Sequence, residues 1–358
     1  EFVNCMERLG QGRALHTCQV SMLRSLGRWS GGTSRYAEEN SVLLAYYSAI
    51  AQAQRFVYIE NELFISQGRN RPTDVTVKNR ISFYLYKRIL QARSRGEPFK
   101  VYIVIPLFPR HDGQLLSGSR GDYTSRKQMH FLYQTIFRGE DSLTHRLLQR
   151  HIAPHEYLSV CCLQKFDRLP DGWLAQEIYV QSNLLIADDR VAIIGSARIA
   201  DHSLLGWRNS ELAVRVEDVG FVRSLRMALW CEHLDVPPAE KEALISDPGD
   251  AAVWNLWCAQ ARSNSQIMQE VFRSLPNNAA YTMARLHDFA AISYLKRRAK
   301  LYAPDRDTMA QGLERLCQVK GQIVVCSGCF MEGSQLLKVQ DKDQSWRSWF
   351  FWPDFALV

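Results

Sequence analysis

The stretch EIYVQSNLLIADDRVAIIGSARIADHSLLGWRNSELAV, residues 177–214, sets two apolar runs on either side of a turn. Each run ends in small or polar residues, as strands do where they open onto a site. Gln181 and Asn183 stand two residues apart in the first run, so an extended chain turns both to the same side. Asp188 follows at the turn, and Gly195, Ser196, Arg198 and Glu211 follow the second run. The two outward residues are plain carboxamides. They donate and accept hydrogen bonds, but at neutral pH they neither attack an electrophile nor carry a proton.

Other chemistry-bearing patterns are missing. The sequence has no Gly-rich Walker loop and no His-Glu-x-x-His helix, and the Ser-Gly-Ser around Gly118 lacks the preceding strand of a nucleophile elbow. Nine histidines are scattered. His16, His130, His145, His151, His155, His202, His233 and His287 read as surface or core residues of helices and loops, and His111, just past a strand end at Pro106, is the one kept as a candidate. Nine cysteines at irregular spacing suit reduced thiols better than a disulfide framework. Cys326-x-x-Cys329 has no second pair to complete a zinc set, so no metal is expected.

The elements that must position the amides alternate along the chain. Phe56–Glu60, Val101–Pro106, Tyr157–Cys162, Ile178–Asp188, Arg190–Ser196 and Glu211–Val216 are short, rich in Val, Ile and Tyr, and read as strands. Ser41–Ala53, Ile81–Arg93, Lys127–Phe137, Phe221–His233 and Val253–Arg273 place apolar residues at three- and four-residue spacing, as amphipathic helices do. Interleaving of this kind predicts an α/β fold, a sheet of about six or seven strands covered by helices on both faces. Asp188-Asp189-Arg190 reads as the hairpin turn between two of its strands. After Pro248 the pattern is mainly helical, and the aromatic stretch SWRSWFFWPDFALV at the end fits no periodicity.

Composition bounds the class. A chain of 358 residues, 46% hydrophobic and 23% charged, is ample for a core and reads as soluble and globular. No apolar run reaches the roughly 18 residues of a membrane span, and no signal peptide is visible. The chain opens on Glu1-Phe2 rather than Met, which is expected of a fragment. A net charge of +7 permits attraction to anionic membranes or nucleic acid without demanding either. The basic residues gather at Lys87–Lys100, at Arg120, Arg126 and Lys127, and at Lys296, Arg297, Arg298 and Lys300.

Here several blocks take on a common likeness. IYVxSxLLIADDRVAIIGSA, with LLGxRxSELAV behind it, resembles the second catalytic motif of the eukaryotic phospholipases D, written His-x-Lys-x-x-x-x-Asp and followed by Gly-Ser-Ala-Asn. FVYIENELFIS (Phe56–Ser66) is similar to that family's Tyr-Ile-Glu-Asn-Gln-Phe-Phe segment, and LRSLGRWSGG (Leu23–Gly32) to its Trp-Ser block. MHFLYQTIFRGEDS (Met129–Ser142) and VFRSLPN (Val271–Asn277) match the surrounding blocks, with a weaker echo in FMEGSQLL (Phe330–Leu337).

The resemblance implies a mixed sheet sandwiched by helices, one lobe of the phospholipase D fold, followed by a helical extension. It divides the chain into a connector from a missing N-terminal lobe (1–36), a C-terminal lobe (37–240) and a mainly helical extension (241–358). It also implies a reaction: one histidine attacks the phosphodiester phosphorus, another protonates the leaving alcohol, and lysines hold the phosphate, releasing choline and phosphatidate from phosphatidylcholine. The motif positions fall on Gln181, Asn183 and Asp188, with Gly195, Ser196, Arg198 and Glu211 beside them, and Tyr58, Glu60 and Asn61 are expected to bind substrate.

The chain departs from the motif at its centre. Gln181 stands where the family has His, Asn183 where it has Lys, and Arg198 replaces the Asn of Gly-Ser-Ala-Asn. Ala200 and His202 replace polar partners in the next turn. General acid–base help is worth roughly 10²- to 10⁴-fold, and losing the charge on the phosphate costs about two or three further powers of ten. The expectation is a catalytically dead member that keeps phospholipid recognition. The alternative is an active phospholipase D whose missing N-terminal half, or a partner subunit, supplies the chemistry. A nucleic-acid partner is not expected, because no aromatic–basic stacking pattern appears.

The family needs no cofactor for its chemistry, and phosphoinositide is its implied activator. The resemblance places phosphoinositide contacts between the Tyr-Ile-Glu-Asn block and the second motif, an interval that holds Lys87, Arg88, Arg93, Arg95 and Lys100. Arg88 and Arg95 are seven residues apart and share a helix face. Basic side chains near an anionic surface are worth about 1 kcal/mol each, so a cytoplasmic protein peripheral to a membrane is expected.

Overall fold

The computed structural model describes residues 18–27, 30, 38–67, 77–109, 120–170, 172–289, 298–300, 306–334 and 337. In chain order the elements are β1 (Gln19–Leu26), β2 (Glu39–Asn40), α1 (Ser41–Gln52), β3 (Phe56–Asn61), α2 (Ile81–Arg95), β4 (Lys100–Val104), α3 (Arg120–Ile136), α4 (Leu143–Leu148), β5 (Leu158–Leu169) and β6 (Gly172–Glu177). They continue with β7 (Asn183–Ala187), β8 (Val191–Gly195), α5 (Asp201–Leu204), β9 (Glu211–Glu217), α6 (Val219–Leu234), α7 (Lys241–Leu244), α8 (Ala251–Phe272), α9 (Met283–Phe289), β10 (Arg298–Lys300), α10 (Arg306–Leu316) and β11 (Ile323–Val325).

The strands form one mixed sheet in the order β10-β6-β5-β4-β3-β7-β8-β9-β1-β2, with β11 added to β5. The pairs β3–β4 and β4–β5 are parallel, and the others are antiparallel. Alternation along the central strands splits the core in two. Val57, Ile59, Val101, Ile103, Leu185 and Ile193 face one cluster with α1 and α2, while Tyr58, Tyr102, Val104, Leu184 and Ile186 face the other with α6 and the first half of α8. Each such aliphatic side chain contributes roughly 1.5–3 kcal/mol by leaving water. Trp230 and Trp257 are fully buried in the second cluster, their rings 4.6 Å apart. The α/β architecture with helices on both faces is as the sequence predicts.

The helices stop and start where local chemistry directs. Asp218 and Asp250 cap α6 and α8 by accepting the N–H groups of Phe221 and Ala252. Gly96 ends α2 in the left-handed conformation and donates its N–H to the last turn.

Three differences from the sequence reading matter. The predicted strand Ile178–Asp188 is not one strand. β6 pairs with β5 beyond the end of β4 and on the same side as β4, with Ile178 N–H still bonded to the Leu163 carbonyl, while β7 pairs with β3, so residues 179–182 pass over the ends of β4 and β3. Two inter-strand steps, about 10 Å, separate the positions of β4 and β7, and the residues from Ile178 to Asn183 span them with slack. The crossing 179–182 reads as a strand by residue type without belonging to a ladder. Second, β1 comes from the span expected to be a connector, yet it pairs with β9 from Gln19 to Ser25. β10 and β11 likewise come from the expected helical extension, so both flanking spans supply strands. Third, His111, Lys296, Arg297, the aromatic stretch 345–358 and Arg28, Trp29, Gly31 and Gly32 of the Trp-Ser block lie outside the described residues.

Candidate functional site

The row Glu60, Leu184, Ile194 and Val214 runs across β3, β7, β8 and β9. One residue further on, Asn61 opposes Asn183 and Gly195 opposes Ala213. This puts Asn61, Asn183, Gly195, Ser196 and Glu211 at one end of the sheet, at the ends of central strands. Gly195 is required there, because a Cβ would lie 2.3 Å from the Leu212 carbonyl of β9.

The Glu211 carboxylate is fully engaged. Ser196 Oγ donates to it at 2.5 Å, Ser203 Oγ at 2.6 Å and Asn209 Nδ2 at 3.3 Å. Asn183 is buried, its Nδ2 donating to the Ser196 carbonyl at 3.2 Å and its Oδ1 accepting from Glu62 N–H at 3.4 Å. Gln181 is exposed on the crossing. Arg198, the one cation placed by sequence near the amides, pairs with Glu62 (Nε to Oε2, 2.7 Å), and Tyr179 Oη donates to the other Glu62 oxygen at 3.1 Å. The positive charge that Arg198 brings is offset where it arises.

Asp188 is not in this group. It sits at the far end of β7, about 17 Å along a five-residue strand. There it adopts a left-handed backbone with Asp189 (φ 54 and 53), forming the predicted turn. Its carboxylate accepts three backbone N–H groups, from Gln54 (2.6 Å), Arg55 (2.8 Å) and Phe56 (2.9 Å). It fastens the α1–β3 loop to the hairpin and touches no reacting position. Asp189 beside it holds the fully buried Arg226 through two bonds of 2.9 and 2.7 Å.

Tyr58, Glu60 and Asn61, expected to contact substrate, are all buried. Asn61 Oδ1 accepts from Leu63 and Ile199 N–H at 3.2 and 3.0 Å and so ties β3 to the loop after β8. Tyr58 Oη donates to Glu60 Oε2 at 2.6 Å, and His233 Nε2 of α6 lies 3.1 Å from Tyr58 Oη and 3.3 Å from Glu60 Oε2. Ser182 donates to the other Glu60 oxygen. Burial alone would raise the Glu60 carboxyl, but the bond and charge of His233, with Ser182 and Tyr58, hold it below the usual range. Ser182, Glu62 and His233 were not singled out from sequence. Only the place of Ser182 between the two amides could have found the first of them.

His202 of α5 is pushed down to about 3 by burial and by Arg198 and Arg208, which keeps its imidazole neutral at ordinary pH. Among the described residues no cluster of His, Cys, Asp and Glu could hold a metal ion. No described helix is long and apolar enough to cross a membrane.

The expected phosphoinositide set divides. Lys87, Arg93 and Arg95 are exposed on α2. Arg88 is 4% exposed: it bonds the carbonyls of Ala53 and Gln54 and Glu97, and stacks 4.3 Å from the Phe99 ring centroid. Lys100 donates to the Glu156 carbonyl at 2.6 Å and lies over Trp254 and Tyr157. Arg88 and Arg95 do share an azimuth, but they are about 10 Å apart along the helix axis. Arg88 meets the α1–β3 loop and Arg95 projects past it, which is why the shared face does not make a shared surface.

Comparison with known proteins bears on most of the chain. A model of the family described as Phospholipase D matches residues 28–173 and 174–284. Phospholipase D zeta 1 of Arabidopsis thaliana is 37% identical over 314 residues, 83% of this chain and 28% of that protein. Phospholipase D2 of Bos taurus is 37% identical over 335 residues, 89% and 34%, and phospholipase D1 of Homo sapiens 34% identical over 339 residues, 89% and 30%. The chain thus spans about a third of the length of the relatives it matches. Among solved structures, NucT from Helicobacter pylori is similar with a TM-score of 0.33 at 16% identity, covering 60% of this chain and 94% of that one.

Proposed function

The chain belongs to the phospholipase D family, and from that premise we propose that its own motif recognises a phospholipid headgroup at a membrane surface without hydrolysing it. The observation that carries this reading is the state of the motif's first two positions. Gln181 is an exposed amide and Asn183 a buried one already bonded to Ser196 and Glu62. Phosphodiester hydrolysis through a covalent intermediate needs a nucleophile, a group that exchanges a proton near neutrality, and fixed positive charge on the transferred group. Amides supply neither of the first two. Arg198 is neutralised by Glu62, His202 is held neutral, and His233 is buried against Glu60. What remains is hydrogen-bonding capacity, which suits recognition of a phosphate ester and not its cleavage.

The test is release of choline from phosphatidylcholine vesicles. The chain is expected to release none above blank, and the double variant Gln181→His/Asn183→Lys is expected to release none either, because one motif supplies only half of the family's pair. Release by the unmodified chain, abolished by Gln181→Ala, would overturn the reading. Asp188→Ala is unsuited as the inactivating control, since it removes the clamp on the α1–β3 loop.

The retained frame favours a second reading, in which the remaining part of a longer chain or a partner subunit contributes the chemistry. Ser196, Ser203 and Asn209 still hold Glu211, and the relatives are about three times longer than this chain. Under that reading, choline release appears only when this chain is joined to, or mixed with, the part that carries a complete His-x-Lys-x-x-x-x-Asp.

A further inference from the structure

The crossing 179–182 presents Gln181 and leads into Asn183, yet it lies outside the hydrogen-bonded ladders on either side, which end at Ile178, bonded to the Leu163 carbonyl, and resume at Asn183. Two side-chain contacts fasten it from above and below. Tyr179 Oη reaches Glu62 at 3.1 Å and the Pro109 carbonyl at 3.3 Å. Ser182 Oγ, between the two amides, donates to Glu60. Glu60 is buried, and its second oxygen takes the Tyr58 hydroxyl while facing His233 Nε2. With the Tyr58 proton directed at Glu60, the His233 Nε2–H is left to donate to the Tyr58 oxygen and to Glu60, which makes one continuous network from α6 through β3 to the crossing.

We propose that Glu60 is the positioning residue of this site: through Ser182 it fixes the path of the crossing, and so where the Gln181 and Asn183 amides are presented. Tyr58 and His233 hold the carboxylate from beneath. The segment is longer than its span requires, so its path over the sheet end is set by its anchors, and the Ser182 bond is the one beside Asn183. The bond is charge-assisted and shielded on its Glu60 side, where such bonds are strongest. The titratable groups facing the Glu60 carboxylate are Tyr58 from its own strand and His233 from α6, and Cys161 of β5 faces Tyr58 in turn. Burial keeps both Tyr58 and Cys161 protonated, the latter pushed up to about 12. The proposal concerns how the amides are held and stands whether or not they bind a headgroup.

Amide hydrogen exchange of the full chain tests it, read on the peptide covering 177–184 against those covering 56–59 and 191–195 and corrected for intrinsic rates. Ser182→Ala is expected to speed exchange in 177–184 by about tenfold or more, the effect of losing a bond to a charged group, with the flanking strands unchanged. Glu60→Gln is expected to speed the same peptide, because its amide nitrogen opposes the Tyr58 and His233 donors. Gln181→Ala is expected to change nothing. In the unmodified chain the crossing should stay protected on acidification until the pH falls through the depressed Glu60 value, below the usual glutamate range, and Glu60→Gln should lack that step. Equal acceleration across the whole sheet in Ser182→Ala, which is what a general loss of stability gives, would overturn the proposal, as would no change in 177–184. Should Glu60→Gln not fold, Ser182→Ala decides alone, since it alters an exposed hydroxyl.

Discussion

At one end of β7, Asp188 takes three backbone N–H groups and Asp189 takes the guanidinium of a fully buried arginine. At the other, Gln181 is exposed and Asn183 makes two long bonds, of 3.2 and 3.4 Å. These are two ends of a single motif, about 17 Å apart, and only one keeps its charged residue. The difference separates two kinds of requirement. A carboxylate that satisfies several backbone donors is needed for the strand to sit where it does, whatever the protein does. The positions at the sheet's open end hold less in place, Asn183 meeting two backbone groups through long bonds, and the fold survives with amides there.

The sharpest way to break that comparison is at the structural end. Asp189→Ala leaves Arg226 buried without its carboxylate and is expected to cost about 3–5 kcal/mol, measured by denaturant unfolding. A loss below about 1 kcal/mol would mean that Arg226 finds water or another partner. Asp188→Ala strips three amides of their acceptor and is expected to cost about 2–3 kcal/mol. Arg88→Ala should cost about as much, since the carbonyls of Ala53 and Gln54 lose their donor. Arg95→Ala, which removes a 59% exposed side chain 3.6 Å from Glu97, should fall within about 0.5 kcal/mol. Paired unfolding curves for these two arginines separate a structural α2 face from a surface one, which vesicle binding alone would confuse.

Smaller effects belong to the amide end. Glu60 has a folded pKa below its unfolded value, so its contribution is fully present above the ordinary glutamate range and is lost as the pH falls through the depressed value. Glu60→Gln should flatten that acid limb in a plot of stability against pH. Asn183→Ala should cost about 1 kcal/mol, and Gln181→Ala should stay within about 0.5 kcal/mol. A large loss on Gln181→Ala would show that this amide serves the frame, and the contrast between the two ends would fail.

Much of this was legible in the sequence. The two periodicities, 2 and 3.6, report which side a residue faces, and they located the central strands, the main helices and the Asp188–Arg190 turn. The ordered blocks led to the family, and the types of Gln181 and Asn183 alone excluded a nucleophile and an acid at those positions. Periodicity does not report what lies opposite. A run of strand-type residues looks alike whether it is one ladder strand or two joined by the crossing 179–182, and only the different partners of β6 and β7 distinguish them. In the same way Arg88 and Arg95 share a face by spacing but not by neighbour. Asp188 reads as part of a site although its partners are the backbone of residues 54–56, more than 130 positions away. The charge of Arg198 stands on the page, but its cancellation by Glu62 does not. Residue type and local period follow from the chain's own chemistry, whereas which groups meet is set by strand order and register, and these arise from packing between distant segments.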